Sequence, residues 1–149
     1  MTVATSAEGA VASHHPPRLP FVLSVGVTGH RREALPAEAC EGLEERIRGA
    51  LTLLVEGAAA VLAQEAQFYT AEPMRLLFVS PLADGADQIA ARIAFDLGFE
   101  LHVVLPFPSA TYRRELAGQK ARTTFDDLIA KASCVLELPV STSGRSTLM

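Results

Sequence analysis

Four short, nearly uninterrupted apolar runs dominate this chain: FVLSVGV (21–27), RLLFVS (75–80), ELHVVLP (100–106) and SCVLEL (133–138). Each is rich in β-formers and short enough for a strand buried on both faces. The stretches between them carry a different period. Leu35, Ala39, Leu43, Ile47, Leu51, Leu54, Ala58 and Leu62 recur every three or four residues, and Pro36 suits a first helical turn, so a helix is predicted from Pro36 to about Gln64. Ala86, Ile89, Ala90, Ile93, Ala94 and Leu97 trace a second helical face, closed by Gly98 as a C-terminal signal. Residues 110–131 read as helix in two pieces, broken near Gly118, and Pro139 ends the fourth run. The order is β-α-β-α-β-α-β. It predicts an α/β, Rossmann-like three-layer domain with a mainly parallel sheet covered on both faces.

Residues 20–140 form this domain in the sequence reading. Residues 1–19 are small, polar and proline-bearing, a flexible N-terminal segment, and 141–149 are a polar tail. His14-His15 is either a metal handle or an incidental pair in that segment. A fourth strand with no covering helix after it leads the sequence reading to expect truncation at the C-terminus, with an effector domain or further chain beyond Met149.

Composition narrows the function classes. Thirteen basic and seventeen acidic side chains leave a formal charge of −4, and aromatics make up 6%. That balance argues against nucleic acid as a partner, since non-specific binders present a basic face. No apolar run approaches the roughly 18 residues of a membrane span, and the first twenty residues lack the basic start and apolar stretch of a signal peptide. Cys40 and Cys134 fit no zinc or CxxC spacing. Reduced thiols in a cytoplasmic protein are the expectation, with a homo-oligomer possible.

In open parallel sheets, ligands bind beyond the carboxyl ends of the strands, near the switch in strand order. Two loops fall there. The first, Thr28-Gly29-His30-Arg31-Arg32, offers a tight turn, a hydroxyl and a guanidinium able to pair bidentately with phosphate. Solvated arginines on a plain turn are the structural alternative. The second runs from Ser80 through Asp84, Gly85, Ala86 and Asp87 into a helix, whose N-terminal amides suit an anion. Gly85 and Ala86 leave room for a ligand against the backbone, and Asp87 suits ribose hydroxyls better than phosphate. Alternatively, Asp84 as N-cap and Asp87 as N3 only finish the helix. A third patch after strand three holds Tyr112, placed to stack on a base, and Arg113, placed to reach a phosphate; a helix start with an amphipathic tyrosine and a solvated arginine pair is the structural alternative.

The chain has no GxGxxG after strand one, no GxxxxGK[ST] loop and no GxSxG elbow. No metal cluster or cofactor motif is present, and His30 has no assignable carboxylate partner. These residues point to a ligand-binding module rather than a complete catalytic set.

A first strand ending in GVTGHR and a second ending in SPLADGAD resemble the SLOG superfamily, which is related to the LOG (lysine-decarboxylase-like) phosphoribohydrolases and the DNA-processing protein A fold. Gly29-His30-Arg31 resembles its G-S-R-like element. Ser80 to Asp87 resembles its S-G-x-A-x-G-x-D-like turn, with Pro81 in place of the first glycine. The likeness spans residues 21–138. It implies a sensor domain that binds a nucleotide or nucleotide-derived small molecule at these loops. The PGGxGTxxE loop of the LOG enzymes has no counterpart here, so the enzymatic alternative, N-glycosidic bond hydrolysis, needs a carboxylate from outside this segment. A single-stranded nucleic-acid-binding module is the remaining alternative.

Overall fold

A computed structural model of the chain describes residues 16–35 and 42–139. The domain is α/β and Rossmann-like, with a four-stranded, all-parallel sheet flanked by helices. Strands β1 (Val22–Gly26), β2 (Arg75–Ser80), β3 (Glu100–Leu105) and β4 (Cys134–Glu137) coincide with the four apolar runs. Helix α1 (Leu43–Gln64) joins β1 to β2, and α2 (Ala86–Asp96) joins β2 to β3. Helices α3 (Ser109–Glu115) and α4 (Gly118–Lys131) join β3 to β4.

Local chemistry sets these boundaries. Helix α2 ends in a Schellman motif: Gly98 takes φ +88°, its N–H donates to the Phe95 carbonyl, and the Phe99 N–H reaches Ala94. The break between α3 and α4 falls where Leu116 and Ala117 are extended and Gly118 takes φ +80°. The predicted start of α1 at Pro36 lies outside the described residues; the helix is described from Leu43, after Gly42 at φ +70°. Leu19 forms an isolated bridge to Tyr69, so pairing begins just before the predicted domain boundary.

The strands lie in the order β1-β2-β3-β4. Each crossover therefore advances one place in one direction, which stacks successive helices on the same face. Helix α2 accordingly packs against both α1 and α4. Alternate residues separate cleanly. Phe78, Leu101, Val103 and Leu105 are buried with Ala90, Ala91, Ile93, Ala94, Phe125 and Leu128, and Leu23, Val25 and Leu76 flank them. Neither Leu77, Val79, His102 nor Val104 belongs to that core, and Val22, Ser24 and Gly26 are exposed. The core thus lies on one face of the sheet, and the face that carries Val22, Ser24 and Gly26 is the more open to solvent. The unbroken apolar runs concealed this alternation, because the open face also carries aliphatic residues.

Helix α1 qualifies the membrane reading in the other direction. It contains an 18-residue window of mean hydropathy 1.3, long and apolar enough by length and composition to cross a bilayer, of which 11% is buried. No single uninterrupted run signals this, because Glu56 divides the apolar residues.

Candidate functional site

The monotonic strand order removes one expected feature. With no reversal of direction, the described sheet has no switch-point crevice between diverging loops. Instead the loops leaving β1 and β2 meet and lock together. The Ala86 N–H, first of α2, donates to the His30 carbonyl at 3.3 Å. Gly85 lies with φ +106°, and a Cβ there would stand 2.6 Å from the Arg32 nitrogen and the His30 carbonyl oxygen. A Cβ on Gly29 would fall 2.5 Å from that of Ala86. Both glycines are therefore required by contact between the two loops. The sequence reading leaves the space at Gly85 to a ligand and expects of Gly29 only a tight turn.

The second loop is held from within. The Ser80 hydroxyl, buried, accepts the Leu82 N–H at 3.0 Å and supports the turn in which Leu82 takes φ +56°. Gln88 donates through Nε2 to the carbonyls of Leu82 and Ala121, pinning the loop to α4. The predicted capping box is not formed. Gly85 is the N-cap of α2, and no side chain caps it. Asp87 falls at N2, and its carboxylate accepts a backbone hydrogen bond from Ala83. Burial pushes the Asp87 carboxyl above its ordinary range, and that hydrogen bond partly offsets the rise.

The Tyr112 phenol lies within electrostatic reach of both Asp87 and Arg31. Burial raises the Tyr112 phenol, the Asp87 carboxylate adds to the rise, and the Arg31 guanidinium opposes it. Tyr112 is not a base-stacking platform, however. It is buried, with Phe107 at 5.5 Å and Phe125 at 5.8 Å between ring centroids. Nor is Arg113 turned to the loops. Its guanidinium makes a bidentate pair with Asp126 on α4 at 2.7–2.9 Å, which holds the Asp126 carboxyl low and the guanidinium high. Thr28, Gly29, His30 and Arg31 stand exposed on the rim, while Asp84 is half-buried.

Beside the locked loops a cavity of about 400 Å³ opens between α2 and α4. Its lining includes Arg32, Asp84, Gln88, Lys120, Thr124 and Asp127. Arg92, also in its wall, pairs with Glu44 of α1, and Lys131 lies over the Phe95 ring at 5.1 Å. Arg32, Gln88 and Lys120 were not singled out from sequence. Arg32 and Gln88 each adjoin a residue that was, and Lys120 sits in the first turn after the Gly118 break. Among the described residues, no group of three or more His, Cys, Asp or Glu side chains could hold a metal ion. Cys134 is a free, exposed thiol, and the histidine pair at 14–15 and Cys40 lie outside the described residues.

No family model, curated protein or solved structure matches this chain.

Proposed function

We propose that the rim formed by Thr28, Gly29, His30 and Arg31, with the cavity beside Asp84 and Gly85, binds an anionic, nucleotide-type small molecule. The observation that carries this reading is the lock between the two loops. It fixes a basic segment, His30-Arg31-Arg32, at the mouth of a cavity whose volume falls in the range of small-molecule sites. Arg31 on the rim and Arg32 in the wall supply guanidinium forks for phosphate, and Lys120 lines the same cavity. Asp84 and Asp127 are placed to accept hydroxyl hydrogen bonds from a ribose. The resemblance to the SLOG superfamily points the same way, towards a cytoplasmic sensor module.

A thermal-shift screen with nucleoside mono-, di- and triphosphates, cyclic nucleotides and ADP-ribose tests the reading. A ligand at 100 times its dissociation constant adds about 2.7 kcal/mol to the folded state. The shift is expected to vanish in Arg31→Ala and to shrink in Arg32→Ala. No shift with any of these ligands refutes it. Release of free base from a nucleoside monophosphate would move the reading to hydrolysis.

A further inference from the structure

The cavity between α2 and α4 carries its cations at two levels. Both helices run from the carboxyl edge of the parallel sheet back towards its amino edge. Gly85, Gln88 and Arg92 on α2, and Lys120, Thr124 and Lys131 on α4, recur at helical spacing, so one face of each helix lines the cavity along its length. Gln88 donates to the Ala121 carbonyl at 3.1 Å and sets the two helices level with each other there. Arg32, Asp84 and Lys120 therefore lie towards the locked loops, and Arg92 and Lys131 towards the other end. From Gly85 to Arg92 the helix rises about 10 Å. The wall between the two levels carries Ile89, Ala121, Thr124 and Leu128, and no charge.

At the far end, Lys131 is exposed and makes no salt bridge among the described residues; its ammonium lies over the Phe95 ring. Arg92 gives Glu44 a single hydrogen bond, and the two side chains are 50% and 61% exposed. Such a pair is weak, and the guanidinium keeps further donors for an incoming anion. We propose that the ligand of this site carries a second anionic group at the far end: two phosphates held apart by a sugar, as in a nucleoside 3′,5′-bisphosphate. The proposal rests on the reading of the site as nucleotide-binding. One phosphate takes Arg32 and Lys120, the sugar lies along the uncharged wall with Asp127 accepting from a hydroxyl, and the second phosphate takes Lys131 and Arg92. A linear polyphosphate would set its middle charges against Ile89 and Leu128, where no cation compensates them. Glu44 competes with the second phosphate for Arg92.

Isothermal titration of the full chain with nucleoside 5′-diphosphates and nucleoside 3′,5′-bisphosphates tests this, using the adenosine and guanosine forms of each. The two ligands of a pair are isomers that differ in where the second phosphate sits. The bisphosphate of one base is expected to bind about tenfold more tightly than its isomer, as charge-assisted hydrogen bonds to a second phosphate allow. Lys131→Gln should bring the two isomers to within about twofold of each other, and because that side chain is exposed the variant should melt with the wild type. Glu44→Gln should act in the opposite direction and widen the preference by about two- to fivefold, since it frees Arg92. Equal affinity for the isomers overturns the proposal, as does a preference that survives Lys131→Gln or narrows in Glu44→Gln. Binding of other nucleotides without the bisphosphates overturns it too, and leaves the reading of the site standing. Binding of no nucleotide at all overturns both.

Discussion

The assignment of Gly85 to loop packing can be tested in the absence of any ligand. Gly85 holds φ +106° with ψ −125°, a region essentially reserved for glycine. Placing alanine there stores about 1–3 kcal/mol of backbone strain. The new methyl would lie 2.6 Å from the Arg32 nitrogen and the His30 carbonyl oxygen and 2.9 Å from the Arg31 carbonyl carbon. All three are backbone atoms, so the 30–32 loop itself must shift, at a further cost of about 1–3 kcal/mol. Gly85→Ala should therefore cost about 2–6 kcal/mol, a large part of the roughly 5–15 kcal/mol that holds a domain together. Gly118→Ala is the matched control. It adopts φ +80°, but its Cβ would meet nothing within 4 Å, leaving a backbone penalty of only about 1–2 kcal/mol.

Urea melts of the ligand-free protein would give both values from the midpoint and slope. At about 4 °C per kcal/mol for a domain of this size, Gly85→Ala should melt about 8–24 °C lower than wild type. A glycine kept only for ligand approach predicts no such excess over the control. If Gly85→Ala falls within about 0.5 kcal/mol of Gly118→Ala, the loop lock is not a feature of the folded state, and the argument from it fails.

The same contact predicts a compensating swap. Gly29→Ala should destabilise by about 1–3 kcal/mol through its clash with the Ala86 methyl, and adding Ala86→Gly should recover most of that loss in a double-mutant cycle. Gln88→Ala should cost about 2–3 kcal/mol in urea melts, because it removes the donor for the Leu82 and Ala121 carbonyls. Arg113→Ala should leave ligand shifts unchanged while Arg31→Ala abolishes them, since Arg113 is committed to Asp126. Asp87 has a folded-state pKa raised above its unfolded value. Its contribution to stability is present below the unfolded pKa, near 4, and is lost as pH rises through the folded value. Asp87→Asn should therefore gain on wild type as pH rises from 4 to 7 in paired melts, and a flat difference would refute the burial account.

Much of the architecture was legible because strand and helix signals here are local. RLLFVS matches β2 residue for residue, and the Gly98 and Gly118 punctuation falls where the chain turns. Strand order is a different kind of property. The runs carry aliphatic residues on both alternating sets, so the sequence says little about which face a helix covers. The clearest hints of an open face were Ser24 and Gly26 in β1, and His102 in β3. They share one side of the sheet through the register of Ser24 with Leu77 and Gly26 with Val79 and His102. Three scattered residues are too little to outweigh the aliphatics beside them.

The candidate site shows where residue-type reasoning stops. It placed Thr28–Arg31 and Ser80–Asp87 at one edge of the sheet, and the structure brings those loops into contact. Their roles divided differently. Gly29, Gly85 and Ala86 serve the contact itself, Ser80 holds the second loop from within through the Leu82 N–H, and Asp87 supports the turn through Ala83. A glycine that admits a ligand and one that admits a neighbouring loop look identical in sequence, because both need only an absent Cβ. Charge separates the two groups. The residues consumed by the lock are neutral or buried, while His30 and Arg31 remain exposed and Arg32 faces the cavity. Under the proposed function, the lock would hold rigid a loop that a ligand would otherwise have to order, and so would lower the entropic cost of capture. The glycines and the arginines are parts of one device, acting at successive levels. Substituting the first group should alter stability and affinity together, whereas substituting Arg31 should alter affinity alone.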